Sequence, residues 1–231
     1  LDGDSDKEII VGDKDGVYIY HHDGSDYGSV NPVFSVPGYW SSSSSVVCDL
    51  DGEGRKEILI AAKDSCCEGS AEFYSRLYAI RPDGTMLTGW DGSQGIMHQD
   101  RSYSKDISVG DLDGDGKLEV VATGMDSLKV WNNDGILRFK LRVPGLVDYN
   151  ITPILADVDG DDEAEIVFGS KGSVNIYGYK ADGSVVPGFP IPVGGFEGSV
   201  CIDDVDGDGK NELIAGSGNI IYMWKTNGNP D

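Results

Sequence analysis

The sequence predicts an all-β fold, a β-propeller of four-stranded antiparallel blades. Three observations predict it. An acidic loop recurs five times along the 231 residues. An aromatic-rich strand ending in Asp-Gly or Asn-Gly follows each copy. Helical periodicity is absent throughout, whereas short alternating apolar runs are frequent.

The loop copies are Leu1-DGDSDKEIIV, Asp49-LDGEGRKEILI, Asp111-LDGDGKLEVVA, Asp157-VDGDDEAEIVF and Asp204-VDGDGKNELIA. The last four start 62, 46 and 47 residues apart. The first copy begins at its second position, just inside the loop. The second landmark ends at Gly24, Gly84, Gly135, Gly183 and Gly228. Only the copy at Asp49 takes longer to reach it, which places an insertion around Asp64-SCCEGSAEFYS. A regular period of about 45 residues marks a stacked-repeat architecture.

Each unit reads as four short strands. A Ser/Val-rich run enters the loop and an apolar run leaves it, as in Glu57-ILIAA. The aromatic strand comes next, as in Val17-Tyr18-Ile19-Tyr20. Its Asp-Gly supplies the positive φ of a tight hairpin. A fourth strand rich in Pro, Gly and aromatics follows, as in Val186-PGFPIPV. One blade cannot bury both its faces, so each must stack on its neighbours.

Composition agrees. The chain carries 40 acidic and 18 basic residues, a net charge of -22. Such a chain repels nucleic-acid phosphates and attracts cations. A 39% hydrophobic content with 11 Tyr and 4 Trp argues for a packed core rather than disorder. The 33 glycines, about twice the usual ~7% share, fit many tight turns. No run approaches the roughly 20 apolar residues that insert in a membrane. The opening Leu1-Asp2-Gly3 shows no signal peptide and reads as a processed or truncated start.

The loop spacing points to a metal. In the copy at Asp111, carboxylates stand at positions 1, 3, 5 and 9: Asp111, Asp113, Asp115 and Glu119. Gly114 and Gly116 allow the sharp path that turns alternate oxygens inward. Position 7, Lys117, can offer only its carbonyl. This is the logic of calcium loops: short acidic side chains at odd positions, one carbonyl, a final carboxylate. Hard oxygen donors favour Ca2+ over zinc or copper.

The copy at Asp204 matches fully, with Asp206, Asp208, Lys210 and Glu212. The copy at Asp157 keeps Asp159, Asp161, Glu163 and Glu165, but Asp162 replaces the second glycine. The copy at Asp49 has Asp51, Arg55 and Glu57, with the longer Glu53 at position 5. The first copy retains Asp2, Asp4, Asp6 and Glu8. Nineteen carboxylates at positions 1, 3, 5 and 9 stand in these loops, nearly half of all 40, and without a cation they repel one another.

These DxDGDGxxE loops, and the phrase ADGSVVPGFP after an aromatic strand, resemble the FG-GAP/VCBS repeats of integrin α-subunit propellers and secreted bacterial proteins. The resemblance covers essentially the whole chain. It implies a Ca2+-binding propeller, usually seven-bladed, in an extracellular or cell-surface setting. Seven units of this size exceed 231 residues, so the chain reads as part of a larger propeller attached to further domains; a closed five-bladed ring is the alternative.

Other constellations are weaker. His21 and His22 are adjacent and read as turn-flanking polar residues. The sequence has no GxSxG elbow, P-loop or dinucleotide fingerprint. Paired carboxylates that could suggest glycosidase chemistry all fall within the acidic loops. Cys48, Cys66, Cys67 and Cys201 allow disulfides or free thiols. Trp131 and Trp224 hold equivalent places in the aromatic strand and read as packing residues, whereas Trp40 and Trp90 are candidates for an exposed sugar platform. The expected function is a non-catalytic, calcium-stabilised interaction module for a protein or glycan ligand. An accessory or catalytic domain of a polysaccharide lyase or peptidase, and a lectin, are the alternatives.

Overall fold

A computed structural model describes residues 1–13, 15–35, 39–41, 45–64, 74–90, 107–124, 127–143, 152–169, 174–195 and 200–226; for 39–41, 62–64 and 74–76 it describes the backbone alone. The insertion residues 65–73, with Cys66 and Cys67, lie outside this set. So does the Trp40 side chain. Among the described residues every element is a strand, and no helix is long and apolar enough to cross a membrane.

Five antiparallel sheets follow one another along the chain. The first holds β1 (Ile9–Asp13) and β2 (Gly16–Tyr20). The second holds β3 (Tyr39–Ser41), β4 (Val46–Cys48), β5 (Glu57–Asp64) and β6 (Tyr74–Ile80). The third orders β7 (Ile107–Gly110), β8 (Glu119–Thr123), β9 (Ser127–Trp131) and β10 (Leu137–Arg142) side by side. The fourth does the same with β11 (Ile154–Ala156), β12 (Glu165–Gly169), β13 (Asn175–Tyr179) and β14 (Ile191–Pro192). The fifth holds β15 (Val200–Asp203), β16 (Glu212–Ser217) and β17 (Ile220–Lys225).

The four-strand plan therefore holds in the third and fourth sheets, the fifth has three strands among the described residues, and the first and second depart for visible reasons. In the second sheet β3 pairs with residues 62–64 of β5 and β4 with residues 57–59, while β6 runs along β5 from 58 to 64. β3 and β4 thus lie end to end on one edge of β5, and four segments make three rows. In the first sheet the described segment after the turn forms isolated bridges with β2, Tyr20 with Asp26 and Val17 with Phe34, rather than a strand. In the fourth sheet Pro187, Pro190 and Pro192 have no N–H to give a ladder, which keeps β14 to two residues.

The aromatic strands end as expected, with one refinement. Gly24, Gly84, Gly135 and Gly183 have φ of 82–84°, while their Asp partners keep negative φ. The Gly24 N–H donates to His21 O at 2.9 Å and the His21 N–H to Ser25 O at 2.9 Å. The same pair of bonds closes the turns at Gly84, Gly135 and Gly183. This is a type I turn followed by a left-handed glycine, not the two-residue hairpin that Asp-Gly alone suggests.

The core lies between sheets. Alternate residues of each second-row strand face opposite neighbours, as the two-residue period demands. On β5, Ile58 and Ile60 pack with Val17 and Ile19 of the first sheet. Leu59 and Ala61 pack with Val120, Ala122 and Trp131 of the third. On β8, Val121 faces Ile166, Phe168 and Tyr179 of the fourth sheet. On β12, Val167 faces Val200, Leu213 and Ala215 of the fifth. The sheets therefore stack face to face in chain order, the arrangement of propeller blades.

Candidate metal centres

The acidic loops at Asp49, Asp111, Asp157 and Asp204 connect the first and second rows of their sheets, and the first loop leads into β1. The position-9 glutamate opens the second row and pairs with the last residue of the first: Cys48 with Glu57, Gly110 with Glu119, Ala156 with Glu165, Asp203 with Glu212. That register fixes the loop at eight residues and holds the glutamate at the sheet edge.

One hydrogen-bond scheme recurs. The position-2 N–H donates to Oε2 of the position-9 glutamate: Leu50 to Glu57 at 2.9 Å, Leu112 to Glu119 at 3.0 Å, Val158 to Glu165 at 2.8 Å and Val205 to Glu212 at 3.0 Å. In the first loop the Leu1 amino group takes that role toward Glu8. The position-6 N–H donates to Oδ2 of the position-1 aspartate: Gly54 to Asp49, Gly116 to Asp111, Asp162 to Asp157 and Gly209 to Asp204, at 2.8–3.1 Å. This curl needs positive φ at position 6. Gly54, Gly116 and Gly209 supply it freely, while Ser5 (φ 78°) and Asp162 (φ 68°) adopt it as strained exceptions.

The structure brings together three metal-capable side chains per loop, with ligand atoms all within 4.8 Å of one another. These are Asp49, Asp51 and Glu57; Asp111, Asp113 and Asp115; Asp157, Asp159 and Glu165; Asp204, Asp206 and Glu212. The first group is Asp2, Glu8 and His21. Position 5 joins only in the loop at Asp111. Its Oδ1 accepts the position-7 N–H in four loops alike, Asp4 from Asp6, Asp115 from Lys117, Asp161 from Glu163 and Asp208 from Lys210, at 2.8–3.0 Å. Glu53 also stays outside its group. At position 7, Arg55 and Lys117 are exposed, and Lys117 Nζ lies 3.7 Å from Asp115 Oδ2. His21 flanks the turn as read from sequence, and its Nδ1 also lies 3.7 Å from Asp2 Oδ2.

The donor set fits a cation. Glu57 and Glu212 are fully buried, yet Oε1 of each accepts no hydrogen bond. Glu8 Oε1 and Oδ1 of Asp49, Asp111, Asp113 and Asp159 are orphaned in the same way. Buried oxygens without a partner are costly, and a clustered set is a standing demand for positive charge. The carboxyl groups register the strain: burial raises Glu57 and Glu119 above the ordinary range and pushes Glu165 up to about 6.

Basic side chains reach these loops from a place that the loop motif does not mark. They stand at the end of the aromatic strand or directly after it, two residues before the Asp or Asn of the Asp-Gly or Asn-Gly pair. Arg81 Nη2 lies 3.2 Å from Asp51 Oδ2. Lys180 Nζ is 2.5 Å from Asp159 Oδ2 and 2.7 Å from Asp161 Oδ2. Lys225 Nζ is 2.9 Å from Asp206 Oδ2 and 3.3 Å from Asp208 Oδ2. In the third sheet that place holds Asn132, and Arg138 of β10 substitutes, with Nη2 2.5 Å from Asp113 Oδ2. The hydrogen bonds from Arg138, Lys180 and Lys225 hold Asp113, Asp161 and Asp206 below the usual carboxylate range. The missed signal is an alignment of the strand ends: His21, Arg81, Asn132, Lys180, Lys225.

Two other expectations resolve. Trp90 is not a surface platform. It is 1% exposed, packed between the second and third sheets, with Nε1 donating to Asn133 O at 2.9 Å. Trp131 is buried and Trp224 half-buried at sheet interfaces, as packing residues. Cys48 and Cys201 are free thiols; burial pushes Cys48 up to about 11.

The FG-GAP-like repeat model matches residues 1–60, 111–168 and 157–215, well over half the chain. The chain belongs to the FG-GAP-like repeat family. Among curated proteins none matches it. Solved structures do. The exotype rhamnogalacturonan lyase YesX superposes with a TM-score of 0.56 at 19% identity, covering 96% of this chain and 43% of that one. BBS1N, solved in complex with ARL6DN, gives 0.59 at 14%, covering 94% and 60%. The C-terminal domain of Pseudomonas aeruginosa PilY1 gives 0.52 at 16%, covering 92% and 52%. The chain spans about half the length of these structures. Likeness at such identities establishes a shared fold, and the FG-GAP-like repeats here are the units that stack in it.

Proposed function

We propose that this chain is a calcium-binding, non-catalytic interaction module of an extracellular or cell-surface protein. One observation carries the metal: buried carboxylate oxygens in each loop, Glu57 Oε1 and Glu212 Oε1 foremost, have no protein donor. Four of the five groups offer oxygen alone, which suits a hard cation. Calcium accepts six to eight oxygens in irregular arrangements, whereas magnesium demands near-octahedral geometry and keeps its water. The first group brings one imidazole nitrogen, which makes it the weakest calcium candidate. Few protein ligands per loop correspond to binding in the ~10⁻⁴–10⁻³ M regime, which matches calcium outside cells.

In the loops at Asp49, Asp157 and Asp204 the metal would tie the two ends of the loop, position 1 just after the first row and position 9 at the start of the second. The scaffold would then present a protein or glycan ligand to loops outside the repeat, with further domains attached in the longer protein. Calorimetric titration with calcium chloride tests the metal, with magnesium chloride as the control. Saturable calcium binding and a Tm that falls on chelation are expected. An unchanged Tm with and without chelator would overturn it. The lyase among the structural neighbours makes rhamnogalacturonan the polymer to test for catalysis. Depolymerisation abolished by a substitution outside the acidic loops would replace the interaction role with an enzymatic one.

A further inference from the structure

The basic residues beside the loops form a pattern of their own. In all five copies one nitrogen approaches the same atom, Oδ2 of the position-3 aspartate: His21 at Asp2, Arg81 at Asp51, Arg138 at Asp113, Lys180 at Asp159, Lys225 at Asp206. Where the usual place holds neutral Asn132, the cation arrives from β10 instead. Recurrence at one atom from two different strands makes this a built feature rather than a scatter of surface ion pairs.

The five contacts differ in depth. Lys180 Nζ also lies 3.7 Å from Glu165 Oε1, and Arg138 Nη1 lies 3.5 Å from Glu119 Oε1. These cations span positions 3 and 9, the loop and the strand that a metal would join. Arg81 and Lys225 stop at the aspartates, and Glu57 Oε1 and Glu212 Oε1 are left without a donor. A cation touching the same oxygens as an incoming divalent ion must withdraw or repel it.

We propose that Lys180 and Arg138 are internal competitors of the metal, which makes the loops at Asp157 and Asp111 its weaker, displaceable sites and those at Asp49 and Asp204 its stronger ones. This rests on the calcium reading above and adds a ranking that loop sequence does not contain: the loop at Asp111 has every ligand, yet falls in the weak class. Lys180 serves two states. Without calcium its ammonium offsets the mutual repulsion of Asp159, Asp161 and Glu165. With calcium it swings outward, a motion its four-carbon stem and part-exposed position permit.

The test uses the whole 231-residue chain and calcium chloride, with local affinity read from backbone amide resonances of Gly160 and Glu163. Lys180→Met keeps the stem and removes the charge. It should tighten calcium at this loop about fivefold, the scale of a partly exposed charge pair. It should also lower the Tm in chelator. Lys180→Arg, which keeps the charge, should bind like the parent. In the parent, the amides of Gly207 and Lys210 should shift at lower calcium than those of Gly160 and Glu163. An unchanged or weaker affinity in Lys180→Met, with calcium binding elsewhere intact, overturns the competitor role alone. If neither protein binds calcium at any loop, the calcium reading falls, and the competitor role with it.

Discussion

Leu112 and Val205 occupy the same place in two loops of nearly identical sequence, and their surroundings could hardly differ more. Leu112 is fully buried among Val121, Val143, Ile166 and Phe168, between the third and fourth sheets. Val205 is 55% exposed. Yet each donates its N–H to the position-9 glutamate at 3.0 Å, and each loop curls through the same position-6 bond. The loop's geometry is therefore local, set by spacing and by left-handed residues. Burial of its apolar side chain is supplied by the neighbouring sheet. Leu50, Leu112 and Val158 all reach forward into the next interface, so the metal loops also act as bolts between blades.

The sharpest way to break this comparison is to remove both side chains. Leu112→Ala should cost about 2–5 kcal/mol, the range for a buried leucine that leaves a cavity. Val205→Ala should stay within about 0.5 kcal/mol, as exposed substitutions do. Denaturant melts of the two variants decide it. Equal losses would mean that position 2 stabilises the loop itself rather than the stack.

Glu165 offers a second test, smaller in size. Burial raises its carboxyl to about 6 from 4.5, so the folded, metal-free state holds its proton more tightly than the unfolded chain. Stability from this group is present below pH 4.5 and is lost as pH rises through 6. In chelator, Glu165→Gln should remove that downward slope, a difference of no more than about 2 kcal/mol at neutral pH. Melts of both proteins between pH 4.5 and 7 measure it. Parallel curves would show that the buried carboxylate is already compensated.

The smallest effect compares the loops at Asp157 and Asp111. Asp162 holds the positive φ that Gly116 holds in its counterpart. Asp162→Gly should stabilise the protein by about 1 kcal/mol through relieved backbone strain. A Tm that falls would show that the Asp162 side chain contributes more than its backbone costs.

These contrasts also mark how far the sequence could be read. The loops were legible because every determinant lies within nine residues: carboxylates at odd positions, left-handed residues at 4 and 6. The blade order was legible from apolar alternation on strands such as β5 and β8. What was not legible depends on partners distant in sequence. Trp90 stands in an irregular segment and reads as surface, but Asn133 O on the next sheet completes its burial. Lys180 and Lys225 stand outside the loop motif, each 19 residues from an aspartate that it pairs with. Arg138 breaks the alignment and could be found only in space. His21 joined its loop for the same reason.

The orphaned carboxylate oxygens are the proposed metal ligands. A crystal structure of the chain grown in calcium chloride tests it most directly. We predict an ion in the loops at Asp49 and Asp204, roughly 2.3–2.6 Å from Glu57 Oε1 and Glu212 Oε1. Loops that keep their present hydrogen bonds at saturating calcium, with no ion at those two oxygens, would contradict it.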